Sequence, residues 1–96
     1  MSTIQAPAAL SKIVNMRNRI NLDAIQVSDR IDQCEPETRA CTILHAAYDM
    51  YHSIDDALLN IDVAVDVDAA TNEMCESTYS ACLLLEQVAR RILQSL

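Results

Sequence analysis

Apolar residues recur at alternating steps of three and four along most of this chain, in three separate runs. The first is Leu10, Ile13, Arg17, Ile20, Ala24, Val27 and Ile31. The second is Ala40, Leu44, Ala47, Tyr51, Ile54, Leu58, Ile61 and Val65. The third is Thr71, Cys75, Thr78, Cys82, Leu85, Ala89, Ile92 and Leu96. A period of 3.6 residues places positions three and four apart on one side of a helix, so each run predicts an amphipathic helix with one buried seam. Period-two alternation occurs only in IDVAVDVD, residues 61–68, and no second stretch of that kind is there to pair with it.

The interruptions set the ends. Pro7 suits the first turn of a helix, where its missing N–H would be unpaired anyway. CEPET, residues 34–38, closes the first run. Pro36 then reads as lying in the first turn of the second helix, with Glu35 and Glu37 at its electropositive end. The second break falls between residues 64 and 70, with Asp68 as the N-cap of the third helix. Neither glycine nor proline marks that break, so a kinked second helix running through it is the other reading. The prediction is an all-α fold of three long helices, about 8–33, 36–64 and 69–95, in an up-down-up antiparallel bundle. One domain spans residues 1–96, with 1–6 as a disordered leader.

Composition supports this. Glycine is absent, which disfavours hairpins, and 51% of the 96 residues are apolar, enough for a core. The net charge of −7 is unevenly placed: residues 32–86 carry −11, with Arg39 as their only base, and each flank carries +2. An acidic surface excludes direct binding to nucleic acid, whose phosphates need a basic face. It leaves open a partner with a basic surface, or mimicry of a polyanion. No run approaches the roughly 20 apolar residues of a membrane span, and no basic segment leads into a long apolar run. The expected location is therefore the cytoplasm, away from membranes.

Both histidines lie in HAAYDMYHSIDD, residues 45–56. Relative to His45, a helix carries Asp49 about 40° round, His52 about −20° and Asp56 about 20°. The four form a narrow stripe nearly opposite the seam of the second helix, and Leu59 and Val63 continue it. An outward stripe lacks the burial or close partner that tunes a general base. Serine chemistry would need a strained, glycine-lined turn. No enzyme and no cofactor is expected. Histidine and carboxylate four apart can chelate a metal when another helix or subunit adds ligands, and Tyr48, Tyr51 and Tyr79 could line a pocket between helices. A small ligand- or metal-binding module is thus the alternative function. The acidic run Asp62–Glu73 resembles a calcium loop in spacing only, because Ala64 replaces a ligand and Val67 replaces the turn glycine.

The four cysteines fall in two pairs, Cys34 with Cys41 and Cys75 with Cys82, each seven apart. Seven residues along one helix span about 10 Å, too far for a disulfide. Stapling Cys34 to Cys82 and Cys41 to Cys75 would need a turn near Leu58, inside an unbroken heptad run. The closely spaced cysteine pairs of zinc sites are missing. Reduced thiols in or beside the core are expected.

Some apolar residues fall outside the seams. Leu22 and Ile25 on the first helix and Leu83 and Leu84 on the third either form one association patch or belong to a wider core. Arg17 sits on a seam, where it either snorkels outward or pairs with an acid of a neighbouring helix. The expected function is a small acidic, non-enzymatic interaction protein of the adaptor, regulator or inhibitor kind. It would self-associate as a dimer and meet a partner through the acidic face of its second helix.

Overall fold

The computed structural model describes residues 7–96. The leader expected at residues 1–6 lies outside the described residues. Three α-helices follow one another: α1 at Leu10–Gln33, α2 at Arg39–Asp66 and α3 at Asn72–Gln94. No strand occurs among the described residues. The fold is an all-α bundle, elongated to 59 × 20 × 16 Å.

α1 and α3 run parallel and α2 antiparallel to both. The alignment is fixed by pairs between α1 and α3 at similar heights: Lys12 with Glu76 at 3.3 Å and Arg19 with Glu86 at 2.7 Å. At the start of α1, the amide of Ala9 donates to the side-chain oxygen of Asn72 at 2.8 Å. α2 packs along its length against both neighbours, whereas α1 and α3 meet more sparsely.

Both turns differ from the sequence expectation. α2 begins at Arg39 instead of residue 36, and Pro36 lies in the turn. The residue after it, Glu37, has φ 68°, a left-handed conformation that no helix accommodates. The first side chain able to close the helix start is Thr38, whose hydroxyl oxygen accepts from the amide of Cys41 at 3.2 Å. The second turn repeats the device. Asp68 takes φ 56° and is not a cap; Thr71 caps α3, accepting from the amide of Met74 at 3.3 Å. α2 runs to Asp66 as one helix. All but the last two residues of the alternating IDVAVDVD are absorbed into its end, with Ile61 and Val65 turned inward and Val63 outward; Val67 is the exposed C-cap and Asp68 lies in the turn. In a chain without glycine, each turn places an acidic residue at positive φ.

The core gathers Ile13, Met16, Ile20 and Val27 of α1 with Leu44, Tyr51, Ile54, Leu58 and Ile61 of α2. These follow the first two predicted seams, with Met16 added. On α3 the seam is rotated. Its inward residues are Cys75, Tyr79, Cys82, Glu86, Ala89 and Leu93. Leu85, expected inside, is 37% exposed, and Glu86 beside it is 2% exposed. The exchange is possible because Arg19 meets the carboxylate with two hydrogen bonds, 2.7 and 2.8 Å, so the buried charge is matched at both oxygens. Arg17 takes the paired option: its guanidinium reaches Asp55 of α2 at 3.1 Å.

Candidate interaction surfaces

The histidine stripe lies where helical geometry puts it. His45, Asp49, His52 and Asp56 are all exposed on α2, and Leu59 and Val63 extend the exposed row. The ring of His52 meets Tyr48 edge-on at 5.2 Å. Both line a shallow groove of about 280 Å³ between α1 and α2, together with Asn21, Ala24, Ile25 and Ser28. Among the described residues, no three histidine, cysteine or carboxylate side chains stand close enough together to hold a metal ion.

The tyrosines are separated. Tyr51 is buried and lines a cavity of about 220 Å³ with Asp23, Gln26, Val27, Arg30, Arg90 and Leu93. Burial pushes its hydroxyl up. Tyr48 faces the α1–α2 groove, and Tyr79 lies under the ammonium of Lys12, 5.5 Å from the ring centre. The four expected patch residues also divide. Leu22, Ile25 and Leu84 are well exposed, whereas Leu83 is half-buried and packs on the core. Ile25 opens onto the α1–α2 groove with His52.

A more continuous surface lies on the opposite flank of α2. Arg17–Asp55 and the Tyr48 groove identify the side of α2 that faces α1. Glu76, Tyr79 and Glu86 identify the side of α3 that faces α1. The other flanks of α2 and α3 converge on a shared groove. At one end of it, Ile43 and Leu96 line a common hollow.

On α2 that flank reads Ile43, Ala46, Met50, Ser53, Ala57, Asn60 and Ala64. On α3 it reads Met74, Thr78, Ala81, Leu85, Val88 and Ile92. Both sets step by threes and fours throughout, so each helix carries a second seam beside its buried one. None of these residues is charged, in a chain where 22% are. None is fully buried, and Met74, Leu85 and Val88 are 46%, 37% and 44% exposed. The register set by Ile43 with Leu96 brings Met50 level with Val88, Ser53 with Leu85 and Ala57 with Ala81. The signal was present in the residues themselves: a second uncharged three-four ladder offset from the first. It is hidden because Leu85 and Ile92 of this ladder also fit a ladder through Cys75 and Cys82.

Comparison with protein-family models, with curated proteins and with solved structures gives no match for this chain. Among the described residues, no helix is long and apolar enough to cross a membrane.

Proposed function

We propose that this chain is a non-enzymatic interaction protein that works as a homodimer, joined through the uncharged flanks of α2 and α3. The observation that carries this reading is the second seam. Its pattern also specifies the occupant. The α2 flank is largely small (Ala46, Ser53, Ala57, Ala64), while the α3 flank is largely bulky (Met74, Leu85, Val88, Ile92). A two-fold axis along the bundle sets α2 of one copy against α3 of the other, large against small on both sides. The four helices then make an antiparallel four-helix layer with knobs-into-holes spacing.

A face about 32 Å long and two helices wide covers roughly 600 Å² per copy, near the lower bound for a stable interface. A micromolar dimer is therefore expected. The His45, Asp49, His52, Asp56, Leu59 and Val63 row stays outside this interface and is offered to a partner with a basic surface, in an adaptor, regulator or inhibitor role. Four cysteines present as thiols fit a reducing compartment, and the cytoplasm is the proposed location.

The test is molar mass by light scattering in reducing buffer, across concentration and salt. The expected result is a rise toward twice the 10.7 kDa chain mass, strengthened by salt, because two copies of charge −7 repel. Val88→Asp should weaken the dimer at least ~10-fold by burying an unpaired charge, and Leu22→Glu, off the interface, should leave it unchanged. A wild type that stays monomeric into the millimolar range would sink the proposal.

A further inference from the structure

The four cysteines are of two kinds. Cys75 and Cys82 are sealed in the core seam of α3, two turns apart on one helix, about 10 Å that no disulfide spans. Cys34 and Cys41 have the same spacing in sequence, but the chain reverses between them. Cys34 is the C-cap of α1 and Cys41 stands in the first turn of α2. Both are half-buried thiols. Cys41 continues the Tyr48–Asp55 row that faces α1, where Asp55 binds Arg17 and Tyr48 lines a groove with Ala24. Cys34 packs against the core, its thiol donating to the carbonyl of Ile31 at 3.2 Å. The two side chains are neighbours across the turn, and the Cys41 thiol pushes the Cys34 thiol above its ordinary value.

We propose that Cys34 and Cys41 are a reversible oxidation site, closing an intrachain disulfide across the α1–α2 turn. The oxidant is a small-molecule disulfide such as oxidised glutathione. The sulfur of Cys41, deprotonated to solvent, attacks one sulfur of the oxidant; the oxidant's S–S bond breaks and one small thiolate leaves. Cys34 then gives its proton to solvent and attacks the Cys41 sulfur of the mixed disulfide, releasing the second small thiolate. Two cysteine thiols are oxidised and one disulfide is reduced to two thiols. Cys34 acts second because its thiol is held in a hydrogen bond to the carbonyl of Ile31. Its backbone is already extended at ψ 152°, so the sulfurs can join without breaking a helical hydrogen bond. The pair lies on the α1 side of α2, away from the proposed dimer face, so the two proposals fail independently.

The experiment treats the full chain with oxidised glutathione, counts thiols after denaturation and maps a tryptic digest by mass spectrometry. Cleavage after Arg30 and Arg39 sends the two cysteines into different peptides, 31–39 and 40–90. The expected result is a fall from four thiols to two, a mass loss of about 2 Da, and the two peptides joined. In Cys41→Ser the joined species should disappear, leaving at most one glutathione on Cys34. Persistence of all four thiols would overturn the proposal. So would disulfide-linked pairs of chains, or a 31–39/40–90 link that survives in Cys41→Ser.

Discussion

α3 carries two helical stripes side by side, and their chemistry is the reverse of their placement. The inward stripe, Cys75, Tyr79, Cys82, Glu86, Ala89 and Leu93, includes two thiols, a phenol and a carboxylate. The outward stripe, Met74, Thr78, Ala81, Leu85, Val88 and Ile92, has no charge at all. The difference teaches that partners decide burial here more than hydrophobicity does. Glu86 is inside because Arg19 reaches it from α1 and Arg90 stands one turn on, at 3.5 Å. Leu85 is outside because none of the described residues seals it from solvent, leaving it 37% exposed.

The comparison breaks most visibly when the inward stripe loses its partner. Arg19→Ala strands a buried carboxylate. Arg90 offsets part of the loss, so the cost should be about 2–3 kcal/mol, or roughly 10–20 °C in a thermal melt. A change under 2 °C would mean that Glu86 does not depend on Arg19. Acid should act on the same bond. The hydrogen bond from Arg19 holds the Glu86 carboxyl below its ordinary value. A carboxyl lowered in the folded state adds stability above that ordinary value and loses it as pH falls through the folded one. Denaturant midpoints should therefore drop on the acid side of about pH 4.5, and less in a Glu86→Leu variant.

Glu86→Leu sharpens the comparison by making both stripes uncharged. Near neutral pH it should change stability by less than about 1 kcal/mol, since replacing a buried pair member by a hydrophobe removes a desolvation cost along with the attraction, and Arg19 is itself 40% exposed. A loss of several kcal/mol would show that the ion pair is a net source of stability. The smallest effect belongs to the turns. Glu37→Gly relieves a left-handed non-glycine residue but adds freedom to the unfolded chain. A gain of about 0.5 kcal/mol is expected, readable as a small rise in melting temperature.

Much of this was legible in the residues. Ile13, Ile20 and Val27, then Leu44 through Ile61, declare their helices because local periodicity and burial agree. The outward placement of His45, Asp49, His52 and Asp56 follows from the same wheel. The helix starts were misplaced because Pro36 and Asp68 look like starting residues, while the hydroxyls of Thr38 and Thr71 do the capping. The rotation of α3 was out of reach for a different reason. Nothing near Glu86 announces its burial; the residue that permits it, Arg19, is 67 positions away. The uncharged flank was missed because two ladders overlap on one helix, and only knowing which is buried separates them.

One small contact has a use of its own. The amide of Ala9 donates to Asn72, 63 positions along the chain. An ordinary amide at a helix start exchanges with deuterated water whenever the local turn frays. This one is closed by the first residue of the last helix, so its exchange reports on docking between the starts of α1 and α3. A single proton thus serves as a clock for assembly of the whole bundle, and it should be among the last to become protected during refolding.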